Sequence, residues 1–502
     1  MTEKYPERLS YEETQKGLRL VIIDGITNQT MESLTKGVFL VGLALQLDAS
    51  NFVVGLLGAI PFLSNLFQIP AILLVEKYKD RRNIVTICSF IGRAFLLVVA
   101  LAILIPDKQL ALTIVIIAVA LRYSFGALAH CAWNSWMRDL VPKVILGKFF
   151  SKRMSITTTI AAILGLGAGF FLDWMQATYP DSGAQGYIAL YVTGFISAMI
   201  GVIVISKVPH PRLRQLEVKT YSGKFSFRHM IKAPLKNENF RKLILFLMSW
   251  NFAINLAAPF FAVYMIKTLK YDMFFVVSLT IMSQLVNASS LRMWGKKTDK
   301  YSNKTVLRIC GTLFVFCIFG WTFATYPDKR EYTTALLIVL HVLMGVALSG
   351  VSLSTANIAM KMTPSSKATS YLAINTVLSS CAAGVAPLFG GLFADYFENK
   401  SLSLDFHWKG ITEDVIITTM MIKEWGFFFL LAFVLGLYSL RRLSFVEEEG
   451  EVKENIVIRE MMMDTGRVLK SLSTVDGLRD FTITPMTMMV NLVKRGRQHK
   501  KE

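Results

Sequence analysis

Apolar residues fall in long runs separated by short polar turns, and the pattern repeats along most of the chain. A run of about 20 apolar residues, rising about 1.5 Å per residue, is long enough to cross the ~30 Å hydrocarbon core of a bilayer as a helix. The runs predict twelve such helices, at about 18–47, 52–75, 83–105, 109–137, 154–173, 187–206, 243–266, 273–294, 305–325, 332–360, 368–393 and 424–441. A polar stretch over 207–242, containing Pro209, Pro211 and Pro234, separates the first six from the last six. The loop 394–423 is unusually long. The reading is an all-α polytopic membrane protein built as a short arm (1–17), a six-helix unit (18–206), a central loop (207–242), a second six-helix unit (243–441) and a tail (442–502).

Composition sharpens this. Of 502 residues, 53% are hydrophobic and only 18% charged, and mean hydropathy is +0.47, outside the range of an ordinary soluble chain. The net charge of +19 needs no nucleic acid to explain it, because loops on the cytoplasmic side of a membrane collect Lys and Arg. Most of the 54 basic residues fall in the termini and in alternate loops, those joining helices 2–3, 4–5, 6–7, 8–9 and 10–11. That asymmetry predicts both termini in the cytoplasm. The five cysteines, Cys88, Cys131, Cys310, Cys317 and Cys381, all lie in apolar runs and read as buried thiols, not disulfides. No metal-ligand spacing, cofactor motif or nucleic-acid motif stands out, and no nucleophile–base pair marks an enzyme. The basic end Lys494–Lys501 reads either as a lipid-headgroup contact or as a solvated tail.

The first apolar run is interrupted by Asp24, Asn28, Glu32 and Lys36, at four-residue steps that trace one helical stripe. Ionisable groups at membrane depth cost ~2.5 kcal/mol or more each, so they face a bundle interior or a wet cavity. Glu32 and Lys36 read either as a structural i,i+4 ion pair or as part of that cavity. Arg93 and Arg122 are predicted inside helices 3 and 4, where an always-charged guanidinium can hold a neighbouring carboxylate ionised. Asn28, His130, Asn134, Asn251, Asn255, Gln284, Asn287, His341 and Asn375 are the further polar positions within predicted helices. All are substrate-cavity candidates; the amides read alternatively as interhelical contacts, and each histidine reads as a satisfied polar contact or a proton carrier.

The halves echo each other. Asp24-x-x-x-Asn28 answers Asn251-x-x-x-Asn255, and Glu76-Lys-Tyr78 answers Asp299-Lys-Tyr301. This predicts two parallel pseudo-repeats with a site between them. Gly295-Lys-Lys-Thr-Asp299-Lys300-Tyr-Ser-Asn-Lys304 resembles the G-x-x-x-D-[RK]-x-x-[RKN]-[RK] loop of the major facilitator superfamily. Arg122-Tyr-Ser-Phe-Gly126 resembles the R-x-x-x-G part of a second motif of that superfamily. Trp133-Asn-Ser-Trp136-Met-Arg-Asp139-Leu-Val-Pro142, Pro259-Phe-Phe261-x-x-Tyr264 and the Glu447–Val452 run resemble a bacterial branch of it whose substrates are unassigned. Gly384-Val-Ala-Pro387-Leu-Phe-Gly390-Gly391 is similar to the antiporter signature, which belongs in helix 5. There Gly165-Leu-Gly167-Ala-Gly169 lacks the proline, so the signature gives export no support.

The resemblance implies a secondary transporter in a bacterial inner membrane, lined by helices 1, 4, 7 and 10. It implies that Glu76, Gly295, Asp299 and Lys300 form conformational latches, although the first-half copy has Glu in place of Asp and lacks the glycine. With the stripe, it yields one leading expectation: a monomer that moves a small polar organic solute by alternating access, coupled to a proton. Asp24, Glu32, Lys36, Arg93 and Arg122 are the proton-coupling candidates. The alternatives are a uniporter, a drug or lipid exporter, or a non-transporting sensor or assembly factor that works through its tail.

Overall fold

The computed structural model describes residues 9–78, 80–142, 145–180, 183–211, 234–325, 329–363, 368–398, 400–409, 414–448 and 450–452, with 456 and 459. Most of the central loop and nearly all of the tail, including its basic end, lie outside the described residues.

The first helix, α1 (Tyr11–Thr35), starts earlier than its apolar run predicts. Ser10 and Glu13 form a reciprocal capping box that satisfies first-turn amides and extends the helix into the polar arm. It also ends earlier. Lys36 is extended, Gly37 sits at φ +59°, and α2 (Val38–Gln46) begins afresh. The expected single helix over 18–47 is therefore two pieces. A β-carbon is disfavoured at positive φ, so glycine localises the break. The carbonyl of Thr35 left by the break accepts a hydrogen bond from Tyr191 (3.1 Å). The second crossing is segmented too: α3 (Asn51–Ser64), a 3-10 turn (Asn65–Phe67) and α4 (Gln68–Tyr78).

The remaining crossings are α5 (Arg81–Ala102), α6 (Lys108–Leu140), α7 (Leu146–Thr178), α8 (Gly183–Ser206), α9 (Glu238–Val263, extended by a π-turn to Thr268), α10 (Met273–Lys300), α11 (Asn303–Trp321), α12 (Arg330–Lys361), α13 (Ala368–Phe397) and α14 (Trp425–Ser444). These ten are long and apolar enough to span a membrane. With α1–α2 and α3–α4 they make the twelve crossings expected. The long loop holds an element that hydropathy missed. Strands β1 (Ser401–Lys409) and β2 (Asp414–Lys423) pair antiparallel from Ser401↔Lys423 to Lys409↔Asp414, with a bulge at Leu404/Asp405. The β-branched run Val415–Thr419 favours that pairing.

In the first half α1 packs on α7 and α8, and α5 packs on α6 and α8. In the second half α9 packs on α13 and α14, and α12 on α10 and α11. The halves meet where α3 crosses α13, α7 crosses α10, and α2 touches α9 and α10. Near the face that carries the α2–α3 turn, Gly391 abuts Phe52 and Gly169 abuts Phe274, whereas α4 packs on α5 and α6 of its own half. The second half has a dense aromatic core, in which Phe261 lies 4.6 Å from Trp321 and 5.5 Å from Phe429, centre to centre. A smaller apolar cluster, including Leu18, Trp136, Leu140 and Val208, closes the first half near the face where α1 begins and α6 and α8 end. Of the cysteines, Cys310 and Cys317 are buried as expected, whereas Cys88, Cys131 and Cys381 are only half-buried.

Candidate functional site

The polar stripe of α1 meets arginines from three other helices. Glu32 is the hub. Its Oε1 accepts from Arg122 Nη2 of α6 at 2.7 Å, and its Oε2 pairs with Lys36 Nζ at 2.8 Å. The Glu32–Lys36 pair expected from spacing exists, but it is one arm of a three-membered bridge. The Arg122 side chain is 7% exposed and lies 4.7 Å from the Tyr123 ring, a cation–π contact. Lys36 is 48% exposed although roughly 15 Å of helix separates it from the end of α2.

Two turns below, Asp24 is 5% exposed. Its nearest cation, Arg93 Nη2 of α5, is 3.7 Å from Oδ1, beyond hydrogen-bond range. Arg93 spends its donors on Asn28 Oδ1 (3.1 Å) and on the carbonyl of Ala198 in α8 (3.0 Å). Asp24 Oδ1 is thus a buried acceptor with no hydrogen-bond donor among the described residues. A third arginine approaches from α7. Arg153 donates Nε to the Val21 carbonyl (3.2 Å), stacks 5.2 Å from the Trp133 ring and lies within electrostatic reach of Asp24. It fits because position 25 is glycine; a β-carbon there would fall 2.6 Å from Arg153 Nε.

The structure brings together Asp24, Asn28, Glu32, Lys36, Arg93 and Arg122, and adds Arg153. The other positions sit elsewhere. On α6, His130 and Asn134 bond each other (3.2 Å) and are exposed along with Gly126. That polar stripe lies about half a helical turn from an exposed apolar stripe of Leu110, Ile117 and Leu121. On α9, Asn251 and Asn255 donate to their own helix, to the carbonyls of Leu247 (2.7 Å) and Asn251 (2.8 Å). Gln284 is exposed and Asn287 half-buried on α10, and Asn375 on α13 accepts from Ser379 (3.4 Å). His341 departs from the cavity expectation. It is buried inside the second bundle, edge-on to Trp321 and bonded to the Leu337 carbonyl (2.8 Å).

The latch positions divide similarly. The side chain of Glu76 lies outside the described residues. Gly295 is half-buried near Leu353, while Asp299 and Lys300 are exposed at the end of α10, Lys300 over the Tyr301 ring. The dense network in that region belongs instead to Glu448, beyond α14. Its Oε2 accepts from the Lys304 backbone N–H (2.6 Å), and its Oε1 from Asn303 Nδ2 (2.9 Å) and Lys361 Nζ (3.1 Å). A carboxylate thus caps the N-terminus of α11. The corresponding place in the first half holds Arg81, fully buried. It bonds Asp139, the carbonyls of Ser135 (3.0 Å) and Pro211 (3.1 Å), and His210 (3.4 Å). Burial and the adjacent guanidinium push His210 down to about 4.

Sequence reasoning missed Arg153, Glu448 and Arg81 as organising residues. Arg81 and Glu448 stand next to helix ends, and Arg153, two turns inside α7, falls just before the helix its apolar run predicts; basic and acidic residues at such places ordinarily read as topology signals.

Comparison with known proteins fits this architecture. Solved structures with the same fold include the nucleoside transporter NupG (13% identity, TM-score 0.60, covering 86% of this chain and 98% of that one). They also include the xylose transporter XylE from E. coli in an inward-open conformation (16%, 0.57, 89% and 99%). A third is a bacterial homologue of the iron transporter ferroportin in an inward-facing state (10%, 0.59, 87% and 99%). The sequence has no significant match among curated proteins. The family model for the Major Facilitator Superfamily matches residues 25–333 and 293–485, and the chain belongs to that superfamily.

Proposed function

We propose that this chain is a proton-coupled secondary transporter that moves a small polar organic solute by alternating access, as a monomer in a bacterial inner membrane with both termini in the cytoplasm. The observation that carries the reading is the Arg122–Glu32–Lys36 bridge, a carboxylate held at membrane depth between a buried cation and a half-exposed one. Protonating Glu32 removes the charge that holds both partners. Arg122 and Lys36 then become available to a solute, or to rearrangement of α1 against α6. Asp24, shared loosely between Arg93 and Arg153, is the second proton-coupling candidate.

Access to that site follows from the cost of burying polar groups in lipid. Polar side chains are not left facing acyl chains when a wet interior is available. The Gly126–His130–Asn134 stripe of α6 and the exposed Lys36 support a hydrated space opening between the bundles. Polar exposure along α10 past Ser283, at Gln284, Ser289 and Arg292, supports the same space. That α3 meets the second half while α4 packs on α5 and α6 of its own half supports a space that opens toward the face carrying the termini. With the termini cytoplasmic, this is an inward-open state, the state named for the XylE structure above. A lining of mixed charge favours a polar solute over a greasy one. The nucleoside and sugar transporters among the structural neighbours are compatible with that class.

The test has two stages. A thermal-shift screen of the purified protein against polar metabolites identifies a stabilising solute, and uptake of that solute into proteoliposomes is then driven by a pH gradient. The expected result is uptake that a protonophore abolishes and that Glu32→Gln eliminates without loss of folding. Uptake indifferent to the protonophore would overturn the coupling.

A further inference from the structure

The seam between the halves is fastened by one device used twice. Asp173 on α7 accepts from the first two backbone N–H groups of α10, Met273 (2.8 Å) and Phe274 (2.7 Å). Asp395 on α13 accepts from the first two backbone N–H groups of α3, Asn51 and Phe52 (3.0 Å each). In each case the aspartate belongs to one half and the capped helix to the other. Each aspartate follows a glycine by one turn, Gly169-Phe-Phe-Leu-Asp173 and Gly391-Leu-Phe-Ala-Asp395. The glycines bring the backbones together: a β-carbon at 169 would lie 3.0 Å from Phe274 Cα, and one at 391 would lie 2.5 Å from Phe52 Cα. The two clamps occupy equivalent places in the two repeats, at equal separations along the chain.

The physics assigns them to closure and not to local capping alone. First-turn amides have no acceptor in their own helix, so an acceptor must come from outside it. Here it is a carboxylate placed where the positive end of the helix dipole favours it. Local capping is already present at α3, where Ser50 Oγ accepts from Val53 N–H (3.3 Å). At α10 Asp272 makes no such bond, so Asp173 supplies the side-chain acceptor there; both aspartates act from across the seam.

We propose that Asp173 and Asp395 are paired gate residues that hold the transporter shut on the face carrying the α2–α3 turn, and that both must release their helices before this face opens. The proposal rests on the alternating-access reading. Because one rigid-body rocking of the halves separates both seams, the clamps act as a unit: weakening one raises the open population and unprotects the amides of the other.

The test is amide hydrogen exchange on the full-length protein in nanodiscs, with fragmentation that resolves the first turns of α3 and α10, for wild type, Asp173→Asn and Asp395→Asn. The expected result is exchange about tenfold faster at the clamp that was altered, the effect of losing one charge-assisted bond. A several-fold acceleration should also appear at the untouched clamp. Acceleration confined to the substituted clamp would reduce both residues to helix caps and overturn the gate. If an asparagine variant is not recovered folded, Asp173→Glu and Asp395→Glu, which displace the carboxylate by one methylene, carry the same two expectations. No solute enters this experiment, so its failure is distinct from a failure of the uptake assay, which would sink transport while leaving the clamp coupling measured.

Discussion

The bridge at Glu32 makes a quantitative prediction about which partner matters more. Two unit charges 2.7 Å apart attract by about 6 kcal/mol at an effective dielectric of 20, before the cost of stripping water from both is subtracted. What remains is read from a double-mutant cycle of Glu32→Gln, Arg122→Gln and the pair together. Glu32→Gln leaves Arg122, 7% exposed, as a buried cation without its carboxylate, a change that typically costs about 3–5 kcal/mol. Arg122→Gln leaves Glu32 still paired with Lys36 at 2.8 Å, so its expected cost is smaller, about 1–3 kcal/mol. The double variant has two neutral amides in place of the buried pair and leaves only the half-exposed Lys36 without its carboxylate. It should be more stable than the sum of the singles by on the order of 2 kcal/mol. Reversible unfolding in mixed micelles measures all three. Additivity within about 0.5 kcal/mol, or Arg122→Gln proving worse than Glu32→Gln, would refute the hub assignment.

Three further outcomes follow from other parts of the structure. His210, held near 4 in the folded state against an ordinary 6.5, contributes stability that is complete above about 6.5 and is lost as pH falls through that window toward 4. Thermal unfolding between about pH 4.5 and 7.5 should therefore steepen at the acid end for wild type and flatten for His210→Gln; identical slopes would contradict it. Glu448→Ala strips the cap from α11 and removes the buried acceptor of Asn303 Nδ2, with an expected loss of about 3 kcal/mol. Faster amide exchange at Lys304 is the accompanying sign, and unchanged exchange there would count against it. Gly37→Ala meets no neighbouring atom within 4 Å, so any loss of stability, expected at about 1–2 kcal/mol, isolates the backbone strain at φ +59°. An unaltered unfolding midpoint would mean that the break can be re-formed with ordinary geometry.

Much of this molecule is written in periodicity. The twelve apolar runs follow from a length requirement that any bilayer imposes. The stripe Asp24–Asn28–Glu32–Lys36 follows from four-residue spacing, and the same spacing put Glu32 beside Lys36. What periodicity cannot report is which distant residue fills a vacant bonding position. Arg122 and Arg93 were both plausible partners for either carboxylate, and only the packing of α5 and α6 on α1 sends one to Glu32 and the other toward Asp24. Arg153 read as a basic residue at a helix start, because the space under Gly25 that admits it depends on how α7 crosses α1. The break at Gly37 was hidden for a related reason. Glycine is common in apolar helices, and hydropathy does not register a change of φ. The hairpin after α13 was invisible to a search for apolar runs, although Val415–Thr419 carries an ordinary strand signal. The Gly169–Asp173 and Gly391–Asp395 pairs stand in plain view as a repeated four-residue spacing. An aspartate near a helix end has many uses, and nothing local says that its partner is in the other half.

The central claim is that a carboxylate on the first crossing exchanges a proton as the halves rock. The most direct measurement follows internal pH with a trapped dye in proteoliposomes while a gradient of the solute found by thermal shift is applied. Wild type should bring protons across with the solute, and Glu32→Gln should lose that proton movement while still binding the solute. Proton movement undiminished in Glu32→Gln would contradict the account.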